Sequence, residues 1–298
     1  MHDLLFPSPS NSQAVCGWTG HAFLVDGQEV PILGYDALTS GWTDELTDFH
    51  EETAGDNHYI DIASRRHAIA ALRLGIQGEK PVIIDIGCSS GSMLRALRKS
   101  LPSATLVGAD YIRGPLLKLA ESLAGIPFLQ FNLVTCPLFS NSVDGVILLN
   151  VLEHIEDDFA AMQQVFRITK PGGVVVIEVP AGPQLYDVYD KQLMHFRRYT
   201  LSSLVEKLQR AGFQIEEQSY MGFFLYPAFA MIKRRNQRYM ECSDEIQRQI
   251  VAKNISQARA NPLMNAIMRL EEALRPYLRY PFGIRCLVTC KKPADAIG

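Results

Sequence analysis

VIIDIGCSSGS, residues 82–92, is the stretch of this chain that decides its fold. A short apolar run ends in Asp85, and Gly87 and Gly91 follow before apolar residues recur at helical spacing. This order predicts a buried strand, a tight glycine turn and the start of a helix. Such a unit lets the backbone approach a nucleotide-type ligand closely.

Strands and helices alternate along the residues that follow the glycine turn. Short apolar runs predict strands at residues 82–86, 105–109, 127–132, 144–149, 174–179 and 214–220. Amphipathic segments predict helices at residues 92–100, 115–123, 155–168 and 201–211. This alternation favours an α/β fold, a three-layer sandwich in which helices cover both faces of a mostly parallel sheet.

A seventh strand is predicted far along the chain, at residues 284–290. The segment before it therefore reads as an insertion, with amphipathic helices at residues 244–258 and 263–278. Residues 21–33 predict a small hairpin around Asp26-Gly27. We expect four regions, which are an N-terminal cap or lid at 1–75, the core at 76–223, the helical insertion at 224–280, and the final strand with a tail at 281–298.

Composition and charge narrow the function classes. Of the 298 residues 47% are hydrophobic, and the net charge is −3. A charge so close to neutral gives no reason to expect a nucleic-acid partner. The N-terminal residues show no signal-peptide pattern and the longest apolar run is too short to span a bilayer, which predicts a cytoplasmic protein. The six cysteines lack CxxC spacing, so we expect free thiols and no metal.

Five short motifs, in order, resemble those of the class I S-adenosylmethionine (SAM) dependent methyltransferases. They are the glycine turn, Asp110 after the second strand, Asn132 after the third, the LEHI run at 152–155 after the fourth, and the KPGG turn at 170–173. The resemblance implies a Rossmann-like seven-stranded fold, SAM as cofactor and S-adenosylhomocysteine as product. It also implies that residues of these motifs bind the cofactor, namely Asp85, Gly87, Cys88, Gly91, Asp110, Tyr111, Asn132, Leu133, Asn150 and Glu153.

Two positions depart from the family pattern. Ser89 replaces the middle glycine of the turn, and Asn132 replaces the acid that usually meets the adenine amino group. The turn tolerates a small residue such as Ser89, and the amide oxygen of Asn132 can still accept a hydrogen bond from the adenine amine. Asp85 and Asp110 would also suit a nicotinamide-binding fold, but Ser89 breaks the GxGxxG pattern that such a fold needs.

The loop after the fifth strand, residues 180–199, holds the candidates for chemistry. His195 is the candidate general base because its ordinary pKa lies near neutrality, and Asp187 and Asp190 are placed to orient it. His154 is a second candidate, with a structural role at the next helix as the alternative. We expect substrate contacts from aromatic and cationic side chains of the loop, namely Tyr186, Arg197, Arg198 and Tyr199. Pairing of an arginine with local acids, to hold the loop, is the alternative.

Two further segments carry hypotheses. Residues 50–59 are polar and predict a lid over the site, or a solvated linker. Residues 220–238 combine aromatic side chains with four basic ones, which suits peripheral membrane contact or a greasy acceptor with an anionic head; core packing of the aromatics is the alternative. The insertion helices would pack on the core or on a second subunit, so a monomer or a homodimer is expected.

The sequence as a whole predicts methyl transfer to an oxygen, nitrogen or carbon nucleophile. The HxRRYT run at 195–200 resembles a branch of the family that acts near glycan or lipid biosynthesis, so a small-molecule, glycan or lipid-linked acceptor is expected. Two alternatives stay open. One is a SAM-binding scaffold without catalysis, and the other is an enzyme that transfers a different part of the cofactor.

Overall fold

The computed structural model describes residues 5–9, 14–35, 58–257 and 262–295, and side chains at all of these but 252–257. Most of the predicted lid, residues 50–57, lies outside the described residues. An eight-stranded sheet forms the centre. Its strands are β5 (Leu33–Gly34), β6 (Val82–Ile86), β7 (Thr105–Asp110), β8 (Phe128–Gln130), β9 (Val143–Leu149), β10 (Thr169–Pro180), β11 (Gln214–Met221) and β12 (Arg285–Lys291). They lie side by side in the order β11-β12-β10-β9-β6-β7-β8-β5.

The sheet confirms the predicted mostly parallel α/β architecture. Strand β12 runs antiparallel to both of its neighbours, β10 and β11, and the other pairings are parallel. All seven predicted strands are present. The eighth, β5, adds to the edge beside β8, where the Tyr35 amide donates to the Gln130 carbonyl at 2.9 Å. A two-residue strand has no periodicity of its own, so the sequence could not reveal it.

Helices cover both faces of the sheet. They are α1 (Tyr59–Gly75), α2 (Ser92–Ser100), α3 (Arg113–Ser122), α4 (Asp158–Ile168), α5 (Val188–Gln192), α6 (Leu201–Arg210), α7 (Tyr226–Asn236), α8 (Asp244–Gln257) and α9 (Pro262–Leu274). Leu72, Leu97 and Leu116 of α1, α2 and α3 belong to one apolar cluster, whereas Met162 of α4 and Leu204 of α6 belong to the other. The sheet separates the two clusters, which gives the three predicted layers.

The N-terminal residues form two small β units. Strands β1 (Leu5–Pro7) and β2 (Val15–Gly17) pair with each other, and β3 (Phe23–Val25) pairs with β4 (Gln28–Val30) across the predicted turn at Asp26-Gly27. Phe23 is fully buried, with its ring centroid 4.7 Å from that of Trp18. All six cysteines are free thiols, as predicted.

The insertion between β11 and β12 consists of α7, α8 and α9. Helix α9 ends at Leu274, four residues before the predicted end, and packs against α1 through Met268 and the Arg66–Glu272 ion pair of 3.0 Å. Helix α8 reaches α5, where Gln192 donates to Gln247 at 3.0 Å. Within the described part of the chain, no helix has both the length and the apolar character that crossing a bilayer requires. The insertion thus lies against the loop that follows β10.

Candidate active site

The glycine turn sits at the carboxyl edge of the sheet, between β6 and α2. Gly87, Ser89 and Gly91 all have positive φ angles, of 78°, 43° and 77°. A Cβ atom on Gly87 would lie 2.5 Å from Val151 Cγ2, so only glycine fits there. Ser89 occupies the strained position that the family gives to glycine, and its amide donates to Asp110 Oδ2 at 3.0 Å. This bond holds the turn in place despite the departure.

Asp110 links the ends of β6 and β7. Its Oδ1 accepts from the Ile112 amide at 3.0 Å, while Oδ2 accepts from Ser89. Burial raises the pKa of Asp110, and these amides act in the opposite direction. Each carboxylate oxygen can accept more than one hydrogen bond, so Asp110 retains capacity for a vicinal diol. Tyr111, beside it, is half-buried.

Asp85 and Glu153 are buried acids at this edge with oxygens that lack partners; Glu178 and Asp187 each have one such oxygen too, while their other oxygen is paired. Asp85 is 3% exposed and its Oδ2 has no hydrogen-bond partner; Glu153 is 1% exposed and neither of its oxygens has one. Burial raises the pKa of Asp85 to about 7 and that of Glu153 to about 8. The charge of Asp110 acts in the same direction on Asp85, and that of Glu178 on Glu153. Buried polar groups are nearly always satisfied, so these two indicate a ligand that satisfies them.

The remaining predicted cofactor residues lie nearby in different settings. Asn132 Oδ1 accepts from the Val134 amide at 3.0 Å, so one side of the amide oxygen is already used. Leu133 is 4% exposed and packs in the core, and burial raises the pKa of the Cys88 thiol, which leaves it unreactive. Asn150 has φ of 57° and its Oδ1 accepts from Arg285. Cofactor contacts by these four residues remain predictions.

The loop after β10 brings His195 and Asp190 together. Asp187 caps the short helix α5, and its Oδ1 accepts from the Tyr189 amide at 3.0 Å. His195 Nδ1 and Asp190 Oδ1 are 2.8 Å apart, and burial lowers the pKa of His195 although Asp190 opposes that shift. The ring centroid of His154 lies 4.6 Å from that of His195, edge to face. A neutral imidazole that donates from Nδ1 keeps its Nε2 as a proton acceptor.

The sequence did not identify Lys233, which completes this group. Its Nζ lies 2.7 Å from Asp187 Oδ1 and 2.8 Å from Asp190 Oδ2, and the residue is 5% exposed. Lys233 shares the buried face of α7 with Ala230 and Asn236. The available signal was that Lys233 falls at the helical spacing of buried positions. Its three basic neighbours instead placed it in the cluster that we interpreted as a membrane-contact surface.

We predicted that Arg197, Arg198 and Tyr199 contact substrate. Each has a partner within the protein, and the substrate contacts remain predictions. Arg198 donates to Asp190 Oδ1 and to the Ala181 carbonyl, both at 2.8 Å, and Tyr199 donates to Asp158 Oδ2 at 2.7 Å. Both are buried, so they would have to leave these partners to reach a substrate. Arg197 lies 3.0 Å from Asp158 and is partly exposed. The alternative prediction was that an arginine pairs with local acids to hold the loop, and the contact between Arg198 and Asp190 is of this kind.

Tyr186 lies next to the same group. Its hydroxyl donates to the His195 carbonyl at 2.7 Å, and burial raises its pKa. The side chain is half-buried, so a substrate contact by Tyr186 remains a prediction.

Arg285 is a second residue that the motifs did not reveal. From β12, its NH1 lies 3.0 Å from Glu178 on β10, and its NH2 lies 3.3 Å from Asp61 on α1. The contact with Asn150 makes Arg285 the link between the final strand and the end of β9. Only the topology, which places β12 beside β10, brings these residues together.

One trio among the described residues has the composition of a metal site. Glu153, His154 and His195 each offer one ligand atom, all within 4.8 Å of one another. Ligands around a tetrahedral zinc ion lie roughly 3.3 Å apart, given bonds of about 2.0 Å. We assign no metal to this trio, and the sequence prediction of no metal stays a prediction.

Known proteins share sequence with the core of this chain. Residues 57–218 match the model of a family described as methyltransferase domain, which is more than half of the chain. This chain belongs to the methyltransferase domain family. It is 26% identical over 155 residues to a probable S-adenosylmethionine-dependent methyltransferase of Mycolicibacterium smegmatis, covering 51% of this chain and 60% of that protein. It is 32% identical over 127 residues to a demethylmenaquinone methyltransferase of Lactococcus lactis, covering 38% of this chain and 50% of that protein. The chain thus spans about half to three-fifths of the length of these relatives.

Solved structures of other methyltransferases share the fold. One such structure is the Haloferax volcanii complex between the Trm112 methyltransferase activator and a protein assigned as a methyltransferase. The matching chain of that complex is 18% identical to this chain, with a TM-score of 0.54. The alignment covers 86% of this chain and 97% of that one. A Galdieria sulphuraria protein assigned as a sarcosine dimethylglycine methyltransferase is 15% identical, with a TM-score of 0.56 over 84% of this chain and 99% of that one. At such identities the likeness shows the fold alone.

The residues of this methyltransferase domain fit the cofactor that its family implies. SAM carries a sulfonium and an ammonium group, and a buried acid with unpartnered oxygens suits a cationic ligand. Asp85 and Glu153 are such acids at the carboxyl edge of the sheet, where ligands of open α/β folds bind. Asp110 lies at the end of the adjacent strand, β7. The donor set therefore matches the positive charges and the ribose hydroxyls of SAM.

Proposed function

We propose that this protein transfers a methyl group from SAM to a nucleophile of a small-molecule, glycan or lipid-linked acceptor. The observation that carries the proposal is the pair of buried acids with unpartnered oxygens, Asp85 and Glu153, beside the glycine turn. His195, held by Asp190, favours an acceptor that needs a base to become nucleophilic, such as a hydroxyl, over a neutral amine whose lone pair is already free.

The residues divide the work of the reaction. When bound, SAM supplies an activated methyl group for an in-line displacement. Asp85 would accept a hydrogen bond from the ammonium group, and Asp110 would accept from the ribose hydroxyls. His195 Nε2 would take the acceptor's proton. The protein contributes alignment and proton removal, which are the parts of the barrier that position and basicity can lower.

The experiment that tests this proposal measures product formation. The purified protein is incubated with SAM and a panel of hydroxylated acceptors, and nucleoside products are identified by mass spectrometry. S-adenosylhomocysteine is the expected product, and His195→Gln should lower its rate of formation by roughly 10²-fold or more while SAM affinity is kept. A different nucleoside product would point to transfer of another part of the cofactor. Binding without turnover on any acceptor would favour the scaffold.

The surface of α7 supports an amphipathic acceptor, drawn from a membrane. A groove of about 630 Å³ is lined by apolar side chains and three arginines, among them Tyr226, Met231, Arg234, Arg235, Arg238 and Phe282. Met231 is 68% exposed and Ile232 45%. No acidic residue occurs between Glu217 and Glu241. Exposed apolar side chains beside unopposed cations are typical of contact with an anionic lipid surface.

A vesicle assay tests the membrane contact separately from catalysis. Sedimentation with phosphatidylglycerol vesicles should retain the protein, and R234Q/R235Q/R238Q should weaken retention by about tenfold or more. The matched control K80Q/K99Q/R248Q removes the same charge from exposed positions elsewhere and should bind as the wild type does. Equal loss in both variants, or equal retention by neutral phosphatidylcholine vesicles, would contradict a specific surface.

A further inference from the structure

Helix α7 has a second role on its buried face. Lys233 points from the insertion into the loop after β10, where its Nζ contacts Asp187 and Asp190. Its Nζ also lies 4.8 Å from the centre of the Tyr189 ring and 5.6 Å from that of Phe229. A lysine buried this fully is rare unless it is paired, and here it has two carboxylate partners and two aromatic faces.

The charges around His195 balance when its imidazole is neutral. Asp187 and Asp190 supply two negative charges, while Lys233 and Arg198 supply two positive ones. A proton on His195 would leave one uncompensated positive charge in a buried cluster, which is costly. Without Lys233 the same cluster would carry one excess negative charge, and a proton on His195 would restore the balance.

We propose that Lys233 is a positioning residue of the active site, which holds Asp190 and keeps His195 an uncharged imidazole with Nε2 available as a proton acceptor. The insertion is then part of the catalytic apparatus and not an appendage of the core. The proposal rests on the proposed function only in treating His195 as the base, since the charge state of His195 can be measured without an acceptor.

The groups that face His195 come from four elements. Asp190 and Tyr189 belong to α5, and Asp187 caps that helix. Lys233 belongs to α7, Arg198 to the loop after β10, and Glu153 and His154 to the turn after β9. Burial is the largest cause that lowers the pKa of His195; Asp190 raises it, and Lys233 and Arg198 lower it. Removal of Lys233 takes away one of the lowering causes and leaves Asp190 in place.

Histidine NMR on the full chain tests this proposal. The protein is labelled with ¹⁵N-histidine, and the His195 signals are assigned by their loss in His195→Gln. In the wild type we expect a neutral ring at pH 7 whose proton sits on Nδ1. A wild-type His195 that is protonated at pH 7, or that carries its proton on Nε2, would overturn the proposal even if no Lys233 variant folds.

Three variants sharpen the result. Lys233→Met should raise the titration midpoint of His195 by about one pH unit or more, because one compensating charge is lost. Lys233→Arg should keep the wild-type midpoint, since it preserves the charge. Lys99→Gln removes an exposed lysine on α2 and should also leave the midpoint unchanged.

The readout separates this proposal from the proposed function. A folded Lys233→Met protein with an unchanged His195 midpoint overturns the positioning role, whatever the turnover assays show. A shifted midpoint supports the positioning role even if no acceptor is ever methylated, in which case only the proposed function fails.

Discussion

Two groups of buried acids lie at the same edge of the sheet and differ in what surrounds them. Asp85 and Glu153 have oxygens without partners, and burial raises their pKa values to about 7 and 8. Asp190 and Asp158, by contrast, each contact at least two cationic side chains. Burial alone would raise the pKa of these two acids as well, but hydrogen bonds and cations reverse the shift and lower both.

The difference is between acids that have oxygens free to bind a ligand and acids whose charge is already compensated by cationic side chains of the protein. Unpartnered buried acids cost free energy that a cationic ligand can recover. Paired acids fix the loop that presents His195 and leave little capacity for a ligand. We therefore propose that the first group holds the cofactor and that the second orients His195 as the base.

The largest expected effect comes from breaking the paired side at Asp190. Asp190→Asn leaves Arg198 and Lys233 buried without their shared carboxylate, so the free energy of unfolding should fall by about 3–5 kcal/mol. Urea denaturation measures this loss. Asp26→Asn, in an exposed turn, is the matched control and should change stability very little. A loss below about 1 kcal/mol at Asp190 would mean that the cluster does not hold the loop.

The next effect is on cofactor affinity, through Asp110. Asp110→Ala removes the acceptor for the ribose hydroxyls and the partner of the Ser89 amide, so SAM binding should weaken by more than about 1 kcal/mol. Calorimetric titration of folded variant and wild type provides the comparison. Unchanged affinity would show that the end of β7 does not contact the cofactor.

Glu153 gives a pH-dependent effect of smaller size. Because its folded-state pKa is raised to about 8, the folded protein binds this proton more tightly than the unfolded chain does between roughly pH 5 and 8. That contribution to stability is present at low pH and is lost as the pH rises. Glu153→Gln cannot lose it, so the variant should gain roughly 1 kcal/mol or more relative to the wild type between pH 5 and 8.

Unfolding by urea at several pH values measures this gain. Glu121→Gln, at an exposed position, is the control and should follow the wild type at every pH. A constant difference between Glu153→Gln and the wild type across the range would show that Glu153 titrates normally.

The smallest effect is expected at the solvent side of the paired group. Arg197 is 28% exposed, and its partner Asp158 also accepts from Lys207 and Tyr199. Arg197→Gln should therefore cost less than about 1 kcal/mol of unfolding free energy. A loss as large as that of Asp190→Asn would erase the distinction between buried and exposed pairs in this loop.

The sequence predicted the core more fully than the framework of the base. Local apolar periodicity and turn residues suffice for β6, the glycine turn and α2, and the acids Asp85 and Asp110 follow those strands directly. Lys233 and Arg285 reach their partners across 43 and 107 residues of chain. Such contacts depend on the path of the insertion and on strand order, which single-sequence patterns do not encode. The buried partners of Arg198 and Tyr199 were missed for the same reason, since polar residues in a loop do not reveal them.

The central claim is that the unpartnered acids form a SAM site. Calorimetric titration of the wild type with SAM, S-adenosylhomocysteine and NAD tests this claim most directly. The account predicts that both sulfur nucleosides bind, that Asp85→Asn weakens both because each carries the ammonium group from which Asp85 would accept, and that NAD does not bind. Binding of NAD in place of the sulfur nucleosides, or equal affinities of Asp85→Asn and the wild type for SAM, would contradict it.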